Sequence, residues 1–474
     1  MSTYLSLLEV NDYKSFKGNH KFYFCGSRSA YNRQGIPQAS IFLGDNGTGK
    51  TNLLKIIANL QPVRNTINDT TPPPQNISHG VDIIQYVPTF TVNVGEQVNT
   101  AVPSKDSVWH RPKVVERHRP KNSREKDYSV NLHFLKINNS ASDLRMSKWS
   151  AVCGPETKLI GKATISKAVY MGYTPSSDIV TFDANDLDQL VIYGYGVNRF
   201  ADSKRNLNSE TTCDTLFSNH APLINFEEWL LQLHTASKDA THQCKAQRRI
   251  NLIKKLLKES KILPEVMDYR VYVDDQLHSS ILFQTKDGEF NYQELGYGYQ
   301  CMMAWLFDFI KKLFDRYPDS ENPLHEPAVL LIDEIDLHLH PQWQRRVMRD
   351  LCDMFPKTQF IVTTHSPLVI QSLSDLNLFI LRNEEGETKV KSYPAQTFQG
   401  WSVEEILDEL MDMGADTRPK EYEEARAAFE SAMNSEDVDK GLKAYEKLKK
   451  MLHPGSAEAE ILDIDKDQLE AAKG

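Results

Sequence analysis

Residues 39–52 read Ala39-Ser-Ile-Phe-Leu-Gly44-Asp-Asn-Gly-Thr-Gly-Lys50-Thr51-Asn52, and this stretch decides the fold class. The short apolar run 39–43 predicts a buried strand. It opens into Gly44, Asp45, Asn46, Gly47, Thr48, Gly49, Lys50 and Thr51, which fit G-x-x-x-x-G-K-[ST] at every required position. Asn52 continues into a segment where Leu53, Ile56, Ile57 and Leu60 recur at helical spacing. Strand, glycine loop, helix is the order a phosphate-binding loop needs. Its glycines let backbone N–H groups converge on phosphate oxygens, and the helix N-terminus adds its dipole. Lys50 is placed to reach the β- and γ-phosphates, and Thr51 to set its hydroxyl on Mg²⁺. ATP and Mg²⁺ are the expected ligands, with Gly44 to Asn52 as the binding set.

Three segments further along carry compatible chemistry. Leu330-Leu-Ile-Asp333-Glu334-Ile-Asp336 is an apolar strand ending in acids. Asp333 suits Mg²⁺, and Glu334 suits orientation and polarisation of an attacking water. Thr363-Thr-His365 closes the next predicted strand, 359–363, where a histidine can hydrogen-bond the γ-phosphate. Glu294-Leu-Gly-Tyr-Gly-Tyr-Gln300 is a glycine turn before an apolar helix. Lys50, Glu334 and His365 are the expected catalytic residues. The unbroken apolar runs 328–332 and 359–363, with one helix-like segment at 341–355 between them, predict strands covered on both faces of a parallel sheet. Strands are also predicted at 4–10, 20–24, 128–137, 159–170 and 376–381, and helices at 222–236 and 241–260.

The order of these motifs resembles the heads of ABC-type ATPases, the group of SMC and RecF. Their signature reads Leu-Ser-x-Gly. Leu295 and Gly298 match it, and Gly296 stands at the serine position. The resemblance implies an α/β fold: an ABC-type P-loop ATPase head, a mixed sheet with helices, a modest inserted lobe and a small C-terminal helical domain. It implies a nucleotide-binding lobe from 1–60 plus 320–395, an insertion 61–319 ending in the signature, and an acidic helical domain 396–474. It also implies that Leu295, Gly296 and Gly298 act in trans on the nucleotide of a second copy, in a head-to-tail dimer, with Asp336 as the D-loop residue that crosses to the partner site.

Asp333-Glu-Ile-Asp-Leu-His-Leu-His-Pro-Gln-Trp343 and Tyr193-Gly-Tyr-Gly-Val-Asn-Arg199 look like the AAA-type ATPases of bacterial defence systems. There Asn198-Arg199 takes the place of the Q-loop. With the ending Gly400-Trp-Ser-Val-Glu-Glu-Ile-Leu-Asp-Glu-Leu410, the whole is most similar to the ATPase subunits of Septu anti-phage systems, also found beside some retrons. That resemblance implies self-association into an even oligomer, a small HNH nuclease partner, and DNA or other nucleic acid contacted through the complex.

Charge refines this reading. Residues 401–474 hold 20 acidic and 10 basic residues, a net of −10, against −9 for all 474. The body is therefore near neutral and the acidity belongs to the tail, which either docks a basic partner or solvates the chain. Arg111, Lys113, Arg117, Arg119, Lys121, Arg124 and Lys126 face only Glu116 and Glu125 across 111–126. They suit nucleic-acid phosphates, an acidic interface or a solvated loop. A second basic set on 245–258 reads as a solvated helix face. The six cysteines show no CxxC and read as reduced thiols, and no apolar run suits a membrane span, so a cytoplasmic location is expected. Two histidines, His338 and His340, lack a third ligand nearby for a metal. The competing readings are a RecF- or SMC-like repair ATPase working without a nuclease and a self-contained nuclease of the OLD kind. The second needs a Toprim domain, and the 92 residues after Arg382 lack apolar strand runs.

Overall fold

The computed structural model describes residues 2–24, 38–59, 62–65, 85–88, 128–137, 144–153, 167–168, 190, 192–201, 212–259, 261–413, 418–435 and 437–471. They divide into two units, Met1–Gly400 and Trp401–Gly474. The strands of the first are β1 (Ser2–Tyr13), β2 (Phe16–Tyr23), β3 (Ala39–Gly44), β4 (Pro62–Asn65), β5 (Gln85–Pro88), β6 (Tyr128–Ile137), β7 (Leu144–Cys153), β8 (Lys167–Ala168) and β9 (Ile192–Tyr195). β10 (Asp268–Val273), β11 (Ser279–Thr285), β12 (Gly288–Phe290), β13 (Ala328–Ile332), β14 (Thr358–Thr364), β15 (Leu376–Glu384) and β16 (Glu387–Gln396) follow.

Six strands form the central sheet in the order β16-β15-β3-β14-β13-β9. Five are parallel, and β16 folds back antiparallel on β15. The apolar runs predicted for this sheet have the expected burial: every residue of β13 and β14 is buried. β9 lies inside the range 61–319 yet supplies the edge strand, so the sheet draws on more than residues 1–60 and 320–395. The segment 341–355 is two helices, Pro341–Gln344 and Val347–Met354. Arg346 leaves helical geometry between them, and its guanidinium donates to the Lys261 carbonyl at 2.8 Å.

A second sheet, antiparallel in the order β2-β1-β6-β7-β8, lies over the first. Between them Phe22, Phe24, Phe42 and Phe379 pack edge to face or tilted, with centroids 5.2–6.4 Å apart. Leu53, Leu54, Ile56 and Ile57 of helix Lys50–Asn59 join this core. Each such side chain contributes about 1.5–3 kcal/mol by leaving water. The helix that carries the phosphate loop is thereby fixed by its apolar face.

A lobe of helices Phe226–Ala236, Gln243–Glu259 and Tyr297–Arg316 packs with the small sheet β10-β11-β12. In helix 243–259, Ile250, Ile253, Leu256 and Leu257 are buried while Lys245, Arg248, Lys255 and Lys258 are exposed. Helix 297–316 is buried without a break from Met302 to Ile310, Asp308 included. Asp308 accepts from the Tyr195 hydroxyl at 2.6 Å and pairs with Lys312 at 2.8 Å, as a buried carboxylate must. No described helix is long and apolar enough to cross a membrane.

The second unit is helical: Val403–Glu409, Lys420–Ser435, Val438–Met451 and Ala457–Ala471. Tyr422, Phe429, Leu448, Leu462 and Leu469 form its core. Ser402 and Glu405 cap the first helix reciprocally, which explains why Trp401-Ser-Val-Glu-Glu starts it.

Candidate ATP-binding site

Parallel pairing gathers the motifs. β3, β14 and β13 are neighbours, with Ile41 opposite Val362 and Val362 opposite Ile332. Their carboxyl ends therefore open on one edge, where ligands bind in open α/β sheets. Gly44–Thr51 follows β3, Asp333-Glu334 follows β13 and His365 follows β14. Residues some 300 positions apart in sequence become one site.

The loop is held open by backbone chemistry. Gly47 and Gly49 take φ of +81° and +99°, conformations costly for side-chain-bearing residues. A Cβ on Gly49 would also lie 2.9 Å from the Phe16 ring. Asp45, Asn46 and Gly47 are exposed at the tip, whereas Thr48 is buried and donates to the Asp45 carbonyl at 2.8 Å. Lys50 donates to the carbonyls of Gly44 and Asp45 at 2.6 and 2.8 Å. Burial lowers its pKa, against the fields of Asp333, Glu334, Asp45 and Asp336.

The acids are fixed with equal care. The Thr51 hydroxyl donates to Asp333 Oδ2 at 2.7 Å. The Thr363 hydroxyl donates to Asp333 Oδ1 and accepts the Glu334 N–H, both at 2.7 Å. Glu334 itself sits at φ +47°, in the left-handed region. Asp336, the expected D-loop residue, accepts from the Thr364 hydroxyl at 2.5 Å. His365 is half-buried just past β14.

The signature turn lies against the segment after Asp336. Leu295 is buried, and Gly296 caps helix 297–316. Gln300 donates to the Leu295 carbonyl at 2.7 Å. Tyr297 meets His338 and Tyr299 meets Trp343, with ring centroids 4.7 and 4.4 Å apart. A Cβ on Gly298 would stand 2.5 Å from the His338 carbonyl oxygen, whereas one on Gly296 would touch nothing nearer than 3.8 Å.

Two cations matter more than the sequence indicated. Lys14, in the β1–β2 turn, donates to Asn52 Oδ1 at 2.8 Å. Burial and then the charge of Lys55 lower its pKa. Arg199 is buried beneath the Asp333-Glu334 turn, and burial pushes its pKa down to about 10, so it stays cationic at neutral pH. The signal for Thr363 was available: a threonine pair ending an apolar strand. The basic residues Arg111, Lys113, Arg117, Arg119, Lys121, Arg124 and Lys126 lie outside the described residues. No group of three or more His, Cys, Asp or Glu side chains placed to hold a metal occurs among the described residues.

The fold and the loop define the class: an α/β fold with a P-loop at the carboxyl edge of a mostly parallel sheet. Residues 196–371, which include Arg199, the signature turn, both acids and His365, match the family described as "AAA domain, putative AbiEii toxin, Type IV TA system". The resemblance to ABC-type ATPases of the Septu kind extends over long segments. The chain is 34% identical over 194 residues to the Septu protein PtuA of Bacillus thuringiensis, covering 40% of this chain and 49% of that protein. It is 31% identical over 237 residues to the Septu protein PtuA of Bacillus mycoides (strain KBAB4), 49% of this chain and 30% of that one. It is 32% identical over 149 residues to the "Retron Vc95 probable ATPase" of Vibrio cholerae serotype O1 biovar El Tor, 30% and 29% of the two chains. The chain spans half or less of the length of these relatives.

Proposed function

We propose that this chain binds ATP with Mg²⁺ between Gly44–Asn52 and Asp333, hydrolyses it with Glu334, and serves as the ATPase of an anti-phage defence complex. The observation that carries the reading is the hydrogen-bonded chain Thr51–Asp333–Thr363–Glu334, which joins the phosphate loop to the carboxylate turn. The donor set fits the ligands. Loop N–H groups and Lys50 suit phosphate oxygens, and the Thr51 hydroxyl and Asp333 carboxylate are hard oxygen donors of the kind Mg²⁺ takes. Bound Mg²⁺ supplies neutralisation of phosphate charge.

The chain's own residues do the rest. Lys50 exchanges its loop carbonyls for phosphate oxygens. Glu334 accepts a proton from the attacking water, while Thr363 and the turn hold its backbone. His365 hydrogen-bonds the terminal phosphate. Leu295, Gly296 and Gly298 complete the site of a second copy in a head-to-tail pair, and Asp336 lies on the segment between the two. A small HNH nuclease acting on nucleic acid is the partner whose activity nucleotide occupancy controls.

The test is Glu334→Gln against Lys50→Ala. Glu334→Gln keeps ATP affinity and loses turnover by about 10²-fold or more, the worth of a positioned base. Lys50→Ala loses nucleotide binding itself, read by a fluorescent ATP analogue. Turnover by Glu334→Gln at the wild-type rate sinks the assignment. Co-purification of a small nuclease from the native operon tests the partner; a complex without one points to the repair ATPase instead.

A further inference from the structure

We propose that Arg199 is the positioning residue of Glu334: it locks the left-handed turn that aims the carboxylate. The inference rests on the reading of Glu334 as the water-activating group. Three observations support it. The Arg199 guanidinium donates to the Asp333 carbonyl and to the Glu334 carbonyl, the latter at 2.7 Å, while its Nε donates to the Gly196 carbonyl at 2.7 Å. Its acceptors are thus the two carbonyls flanking the Asp333–Glu334 turn and one from its own loop. Only a planar fork with several fixed donors spans such a set, and lysine offers a single point.

Second, the turn needs holding. Glu334 at φ +47° is strained for a residue with a side chain. Thr363 takes its N–H from one side, Arg199 takes its carbonyl from the other, and the β9 carbonyl of Tyr195 accepts the Asp333 N–H at 2.8 Å. Third, a buried guanidinium is costly, and here its fork is spent on backbone. Arg199 also lines a cavity with Cys301, Met302 and Trp305 of helix 297–316 and Ile335 and Leu337 of the turn. Through that cavity Arg199 borders both the Asp333–Glu334 turn and helix 297–316.

The experiment measures ATP turnover and nucleotide affinity of the full chain carrying Arg199→Lys, Arg199→Gln or Arg199→Ala, alone and combined with Glu334→Gln. The expected result is a kcat lower by roughly 10- to 100-fold, the cost of a misplaced catalytic group. KM and ATP affinity stay near wild type. Arg199→Lys falls between wild type and Arg199→Gln, and ethylguanidinium but not ethylammonium restores part of the Arg199→Ala rate. In the Glu334→Gln background, Arg199→Gln costs nothing further, because residues acting as a unit are not additive. Where truncated variants do not fold, Arg199→Lys carries the comparison. Wild-type kcat in Arg199→Gln, affinity lost in step with kcat, or full additivity with Glu334→Gln overturns the proposal while leaving the function intact. Absence of turnover in the wild-type protein overturns both.

Discussion

The phosphate loop and the signature turn are both glycine turns that start a helix, yet the structure explains them differently. The loop meets its chemistry within one chain: Thr51 reaches Asp333, and Thr363 links Asp333 to Glu334. The signature turn meets packing instead. Gly298 is pressed against the His338 carbonyl, and Tyr297 and Tyr299 rest on His338 and Trp343. The lesson is that a glycine in a motif can have two masters. Loss of activity on changing Gly298 does not by itself report contact with a partner's nucleotide, because the same change disturbs the chain's own fold.

The pair Gly298 and Gly296 breaks that ambiguity. Gly298→Ala places a Cβ 2.5 Å from a backbone oxygen that has little room to retreat. The expected cost is about 2–3 kcal/mol, seen as a lower urea midpoint. Gly296→Ala meets nothing nearer than 3.8 Å and is expected to unfold within about 0.5 kcal/mol of wild type, the range of benign surface changes. A turnover defect in Gly296→Ala that appears with unchanged stability then speaks for the contact in trans. Equal stability losses in the two variants would instead show that the turn as a whole is structural.

On the loop side the sharper probe is Thr363→Val, which keeps the shape and removes the hydroxyl. It leaves Asp333 Oδ1 without a donor and the Glu334 N–H without an acceptor. The expected cost is about 1–3 kcal/mol of stability. Turnover falls more than ATP affinity does, measured side by side. Stability unchanged by Thr363→Val contradicts the hydrogen-bonded chain on which the site is built.

How much of this was legible follows from the type of signal. The loop, the strand 328–332 and the strand ending at Thr364 could be read because local pattern and buried apolar runs fix them. β16 was not, because an edge strand such as Glu-Thr-Lys-Val-Lys-Ser-Tyr carries no continuous apolar run. β9 was missed as part of the sheet because four residues make too short a pattern. The break at Arg345-Arg346 coincides with a hydrogen bond from Arg346 to Lys261, 85 positions away, which local pattern does not encode. Arg199 could be read only as part of the 193–199 segment in the place of a Q-loop, and Lys14 is a lone cation in a turn. Their roles exist only as distances to Glu334 and Asn52, which no local pattern encodes.

The smallest expected effect is a pH dependence on the signature side. Glu227, at the start of helix 226–236, has its Oε2 3.5 Å from the Gln293 amide, two residues before Leu295. Burial raises its carboxyl from 4.5 to about 7, with the Gln293 hydrogen bond opposing. A carboxyl that holds its proton more tightly when folded favours the folded state at low pH. That contribution is complete below about 4.5 and is lost as pH rises through about 7. Glu227→Gln removes the titration. The variant should match wild type near pH 4 and exceed it by roughly 1 kcal/mol near pH 8, as read from urea midpoints across that range. Parallel curves for the two proteins would place Glu227 in open solvent and detach it from the signature turn.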